Sequence, residues 1–258
     1  MEGGASMSGH SKWSTIKRKK GAADAKRGKL FTKLGREIVL AAREGGDPAI
    51  NFKLRLAVDK AKSADMPKDN IERAIRRGTG AEKGAELVEI RYEGYGPHGV
   101  ALLVHVLTDN RNRAVSDVRR AFSRYGGNMG ESGCVAWLFE SKGYITVSPN
   151  DSDPDELALL AIDAGADDVT VGSDLVEVFT LANDFQKVKE SLEKNGIALN
   201  SAEISMLPKS LAELGEKETI KAMILIDALE ELEDVQQVSS NLNITDEMMA
   251  KYDQWTST

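Results

Sequence analysis

Apolar positions change their period along the chain, and each change marks a change of architecture. Phe31, Leu34, Ile38 and Ala41 recur at i, i+3, i+7 and i+10, the spacing of one helical face, and Gly45-Gly46 ends the run. Leu54, Ala57, Val58 and Ala61 predict a second helix. Pro67, at a first-turn position where its missing N–H costs nothing, opens a third that carries Ile71, Ala74 and Ile75 and stops at Gly78. Three short helices with few large apolar residues predict a small bundle over 7–80, followed by a linker at 78–84.

From Leu87 the period becomes that of strands. VEIRYEGY and VALLVHVLT are β-rich runs joined by Gly96-Pro97-His98-Gly99, which reads as a hairpin turn. A helix with Val115, Val118, Phe122 and Tyr125 on one face follows, and CVAWLFE reads as a further strand. Residues 143–206 then spell βαββαβ, the ferredoxin-like order. Its first helix is capped by Asp153, with Pro154 at the first position and Glu156 three residues after the cap. Its central hairpin turns about Gly172-Ser173, and its second helix starts at Asn183 with Gln186 closing a similar pair. The tail offers one helix, with Ala222, Leu225, Leu229 and Leu232 on one face, and one strand, VQQVSSNLNI. That is too little to fold alone, and the ββα piece before the ferredoxin-like unit lacks a second covering helix. Joining the two predicts an α+β multidomain chain. It has an N-terminal three-helix bundle (7–80), a discontinuous α/β middle domain (85–140 plus 207–245) and an inserted ferredoxin-like domain (141–206). Residues 1–6 precede a second methionine, Met7, and are set outside the fold.

Charge adds what periodicity does not. The net charge of −7 hides a split. Residues 1–80 hold 19 Lys and Arg against 9 Asp and Glu, whereas residues 141–258 hold 8 against 24. The basic end is the electrostatic footprint of a phosphate-backbone binder, and the acidic end repels phosphate. One cysteine, Cys134, excludes a disulfide framework and a cysteine zinc site, which suits a reducing, cytoplasmic setting. No apolar run is long enough for a membrane span, and the N-terminus lacks a signal-peptide core.

Catalytic and cofactor motifs fail on context. Gly94-Tyr95-Gly96-Pro97-His98-Gly99 matches G-x-G-x-x-G by letter, but a strand follows where a dinucleotide site needs a helix. Lys142-Gly143-Tyr144 hints at an RNA-recognition signature on the wrong strand of its unit, in a segment with 4 basic and 13 acidic residues. Asp151, Asp153 and Asp155 are spaced like a calcium loop without its glycine or its closing glutamate. His10, His98 and His105 have no paired spacing for a metal, and Cys134 in an apolar run reads as a core residue. No enzyme, no cofactor and no metal are expected.

The N-terminal run is different. Lys12, Lys17, Arg18, Lys19, Lys20, Lys26, Arg27, Lys29, Lys33 and Arg36 place ten cations in 25 residues, beside Trp13. Each can neutralise a phosphate and release a counterion, giving affinity without sequence preference. Trp13 is placed either to stack on a base or sugar or to staple the first helix. Arg111 and Arg113, with Arg119, Arg120 and Arg124, decorate the middle-domain helix and extend the candidate groove.

These same segments carry a resemblance. GHSKWSTIKRKKGAADAKRGKLFTKLGREI, MPKDNIERAI, YEGYGPHGVALLV, TDNRNRAVSDVR and GGNMGESGCVAWLFE resemble the YebC/PmpR family, from Gly9 to about residue 245. The sequence departs from the family at His98, where a glycine is usual. The resemblance implies three domains around a central cleft and a probable transcriptional regulator that binds DNA. It equally implies kinship with mitochondrial translational activators of cytochrome oxidase and with ribosome-associated proteins. The expected partner is therefore nucleic acid, either DNA or ribosomal or messenger RNA, with the ribosome as an alternative and a monomer as the expected state. The acidic half, facing basic ribosomal proteins, tilts the physical reading toward the ribosome.

Overall fold

A computed structural model describes residues 24–149, 153–172 and 175–256. Helices α1 (Asp24–Ala42), α2 (Phe52–Ser63) and α3 (Lys68–Gly78) form the N-terminal bundle. Leu34, Ile38, Leu54, Val58 and Ala61 are buried at its centre, each of the larger four contributing about 2 kcal/mol. Asn51 caps α2 by accepting the N–H of Leu54 at 3.0 Å, and Pro67 is the cap residue of α3 rather than its first helical residue. Gly78 lies so close to α1 that a Cβ there would sit 2.5 Å from the Val39 carbonyl oxygen.

The middle sheet contains β1 (Val88–Tyr95), β2 (Ala101–Thr108), the two-residue β3 (Asn128–Met129) and β8 (Val235–Ser240), in the order β3-β1-β2-β8. β8 comes from the far end of the sequence yet pairs antiparallel with β2, so this domain is discontinuous. Helices α4 (Arg111–Arg124) and α7 (Glu216–Glu230) cover one face, with Val104, Val106, Phe122, Leu225 and Leu229 fully buried between them. The last helix, α8 (Asp246–Thr256), lies beyond the expected end of the domain. It buries Met249 and Tyr252 in the same core, and the Tyr252 hydroxyl donates to Asp227 at 2.6 Å.

The inserted domain is ferredoxin-like. β4 (Phe139–Val147), α5 (Pro154–Ala164), β5 (Asp168–Val171), β6 (Val176–Leu181), α6 (Phe185–Lys194) and β7 (Leu199–Pro208) build a sheet of order β5-β6-β4-β7. Asp153 caps α5 as expected, accepting the Asp155 N–H at 3.0 Å. Gln186 caps nothing: α6 begins at Phe185, and the Gln186 amide donates instead to Glu190 at 2.6 Å. Tyr144 and Phe179 are neighbours on the two central strands, 5.4 Å apart and fully buried, so neither ring is offered to a base.

One expected strand is a turn. In CVAWLFE, Ala136–Leu138 form a 3-10 turn, and only Phe139 and Glu140 belong to β4. The cause is Glu93, whose carboxylate accepts the N–H groups of Gly133, Val135 and Ala136 at 2.7, 2.8 and 2.7 Å. Three donors within four residues, converging on one carboxylate, curl the backbone, which an extended strand forbids.

The bundle touches both α/β units. On the insert side, Phe52 packs against Phe185 with ring centroids 6.2 Å apart, and Leu56 joins the insert's core. On the middle-domain side the contacts are charged, and they lead to the candidate interface.

Candidate nucleic-acid interface

Of the sequence-predicted residues, Lys12, Trp13, Lys17, Arg18, Lys19 and Lys20 lie outside the described residues. Lys26 lies on α1, with its side chain likewise outside the description, and Arg27 is exposed one residue later. Farther along α1, cations at i, i+4 and i+7 share one face, which meets the acidic turn at 230–234 between α7 and β8. Lys29 pairs with Glu231 at 3.2 Å, and the Lys33 ammonium donates to the Glu230 carbonyl. Arg36 pairs with Glu233 at 3.0 Å and with Asp234 at 2.9 Å.

Asp234 also receives Arg113 from the start of α4, at 2.9 Å, and the Thr108 hydroxyl at 3.0 Å. Two guanidinium groups from separate domains thus converge on one buried carboxylate. Asn110 orients Arg113 by capping α4, its side chain accepting the Arg113 N–H at 3.0 Å. Arg113 further donates to Asp109 at 2.8 Å, and that hydrogen bond holds the Asp109 carboxyl below its ordinary range.

From this seam α4 carries Arg111, Arg119, Arg120 and Arg124 outward, all exposed. Arg111 and Arg119 flank the half-buried Tyr92: burial pushes its phenol up, while the two guanidinium groups pull it down. Arg120 pairs with Asp117 at 2.7 Å, and Arg124 lies 5.6 Å from the Tyr125 ring centre. The face therefore runs from α1 across the seam and along α4. Glu231 and Glu233 are more than half exposed, so their pairs are worth only about 0–1 kcal/mol and can exchange for phosphate. Asp234, 8% exposed at its side chain, is the fixed element.

Comparison with known proteins identifies the family. Residues 11–81 match the TACO1/YebC protein N-terminal domain, and residues 87–242 match the TACO1/YebC second and third domain. The chain belongs to the TACO1/YebC family. A probable transcriptional regulatory protein of Dehalococcoides mccartyi is 55% identical over 247 residues, covering 95% of this chain and 98% of that one. One from Chloroflexus aggregans is 52% identical over 251 residues, covering 96% and 100%. The crystal structure of a conserved hypothetical protein from Aquifex aeolicus superposes with a TM-score of 0.80 at 47% identity, covering 86% of this chain and 93% of that one.

Sequence reasoning missed Asp234 and Thr108. Their signal is an acidic run, Glu230-Glu231-Leu232-Glu233-Asp234, which resembles any solvated helix end until α1 is seen against it. Among the described residues no group of His, Cys, Asp and Glu could hold a metal, and no helix is long and apolar enough to cross a membrane.

Proposed function

We propose that this TACO1/YebC protein is a nucleic-acid-binding regulator of gene expression that grips backbone phosphate through the α1–α4 face. Its relatives are named probable transcriptional regulatory proteins, and duplex DNA is the target we take for that role. The observation that carries the proposal is the convergence of Arg36 and Arg113 on Asp234, which joins two basic surfaces into one. Such contacts set position and affinity and read no bases. The N-terminal cations 12–20 lie outside the described residues but add to the same basic charge, and replacing Lys17, Arg18, Lys19 and Lys20 by Ala is expected to weaken binding at least tenfold.

The experiment is a titration of the full chain against duplex DNA over a range of salt. With about six phosphates neutralised, log K falls against log salt with a slope near −5. A flat dependence refutes the proposal. One observation favours RNA on the ribosome instead: the insert holds 4 basic against 13 acidic residues over 141–206, which a bare duplex cannot use and basic ribosomal proteins can. Sedimentation with purified ribosomes that survives a large excess of duplex competitor selects that reading.

A further inference from the structure

The insert's sheet has two faces, and its own helices account for one of them. Ile145, Val147, Val176 and Val178 share a core with Leu157 of α5 and Val188 of α6. Alternation places Tyr144, Glu177, Phe179, Glu203 and Leu207 on the other face, where Tyr144 pairs with Phe179 on one side and Glu203 on the other. That second face is buried too. Tyr144, Phe179 and Leu207 have no exposed surface, and Glu177, which accepts the Tyr144 hydroxyl, is 5% exposed. At the β7 edge the neighbouring domains arrive with polar groups: Lys60 of α2 meets Glu203 at 3.7 Å, and Gln237 of β8 donates to Ser205 at 2.7 Å. Among the described residues no other apolar side chain joins the cluster of Tyr144, Phe179 and Leu207.

An aromatic ring takes about 150–250 Å² of contact to bury, and polar side chains laid on it would lose their own hydration. The cover on this face therefore calls for apolar groups. Outside the described residues the chain offers Asn150-Asp151-Ser152, Ser173-Asp174, Ser257-Thr258 and residues 1–23. Only the last of these holds large apolar side chains, among them Trp13 and Ile16. Its charge is complementary as well. Lys12, Lys17, Arg18, Lys19 and Lys20 accompany Trp13 with no carboxylate between residues 10 and 20, while the face carries Glu177 and Glu203. The length suffices. α1 brings Glu37 to Lys60 at 3.0 Å, at the same β7 edge, and from Asp24 to Glu37 it runs about 20 Å. Extended, the stretch from Trp13 to Asp24 spans up to about 36 Å.

We propose that residues 9–20 of the same chain dock on this face in the free protein, with Trp13 against Tyr144 and Phe179 and the cations toward Glu177 and Glu203. The contact is autoinhibitory: cations held by the insert are withheld from phosphate, and a nucleic acid must draw the segment away. The docking stands on the insert's face alone, whereas its competition with nucleic acid rests on the function proposed above.

The test is Trp13→p-benzoylphenylalanine in the full chain, a photoreactive ring whose cross-links are mapped by mass spectrometry with and without duplex DNA. The free protein should cross-link within one chain to the β4 or β6 peptide that holds Tyr144 or Phe179. Saturating duplex should remove most of that product. Cross-links confined to other elements, or joining two chains, overturn the docking. A cross-link that persists while duplex is bound overturns the autoinhibition. Duplex that does not bind at all sinks the nucleic-acid reading, and the free protein's cross-link then decides the docking by itself. A second measurement needs no foreign ring. With Trp137→Phe and Trp255→Phe, Trp13 is the sole indole, and its emission should lie at the short wavelength of a buried ring. Emission of a solvated indole overturns the docking.

Discussion

Replacing Asp234 by Asn sets stability against affinity, because the same carboxylate holds the domains together and occupies two cations of the proposed phosphate face. In the folded protein it takes Arg36 and Arg113, each at 2.9 Å, and the Thr108 hydroxyl. Breaking a fully buried pair costs about 3–5 kcal/mol, whereas an exposed pair is worth about 0–1. Arg36 is 13% exposed and Arg113 46%, so the seam falls between these limits, at about 2–3 kcal/mol. At roughly 2–4 °C per kcal/mol for a chain of this size, melting should fall by about 4–12 °C. Nucleic-acid affinity should move the other way. Two guanidinium groups are released to phosphate, so the salt slope should steepen by about 1.8 and low-salt affinity should rise about tenfold. Thermal melting and salt titrations on Asp234→Asn measure both, with Glu72→Gln as a surface control, since Glu72 pairs with the exposed Lys68 on α3, away from the α1–α4 face. A variant that melts lower and binds no more tightly would show that phosphate does not compete for this seam, and the α1–α4 interface would fall.

Two further outcomes follow from single residues. His98 holds a left-handed backbone, with φ of 61°, a conformation that costs a side chain and suits glycine, so His98→Gly should stabilise the protein by about 1 kcal/mol in chemical denaturation. An unchanged midpoint would show that the turn stores no strain. Burial pushes the Glu93 carboxyl up, but its three backbone N–H donors outweigh that and hold it below the ordinary range. A depressed carboxyl stabilises the fold above its unfolded pKa of about 4.3 and loses that contribution as pH falls through the folded value. The stability gap between wild type and Glu93→Gln should therefore be full at pH 6 and shrink below about pH 4; a gap independent of pH would contradict the assignment.

Much of the fold is legible from period alone. The α4 and α7 faces, the ferredoxin-like order and the return of the C-terminal strand all follow from where apolar residues recur, because a sheet with one bare face must find a cover. What escapes is decided by side chains reaching the backbone or a distant element. CVAWLFE has strand composition, yet Glu93, some forty residues earlier, curls it into a turn. Gln186 has the spacing of a capping residue and finds Glu190 instead. The candidate site divides the same way: arginines on one helix face are readable, but the carboxylate that unites Arg36 with Arg113 is defined only by tertiary contact.

The two attachments of the bundle differ in kind, and the difference bears on how binding reshapes the molecule. α2 meets the insert chiefly through Phe52 and Leu56, apolar contacts that salt leaves intact, with Lys60–Glu203 at 3.7 Å and Asp59–Lys189 at 4.0 Å beside them. α1 meets the middle domain through Lys29, Lys33 and Arg36, and two of the carboxylates engaged there, Glu231 and Glu233, are more than half exposed. Phosphate offers these cations the same charge-assisted hydrogen bonds as the carboxylates do, with a counterion gain in addition. On the function proposed above, a nucleic acid entering the face would replace the exposed carboxylates, while Phe52 would keep the bundle on the insert. Asp234, with its two guanidinium partners and the Thr108 hydroxyl, is the last tie to yield. If the proposed face binds phosphate, binding and loosening of the α1 seam are linked, and a substitution that weakens the seam should strengthen the grip on nucleic acid.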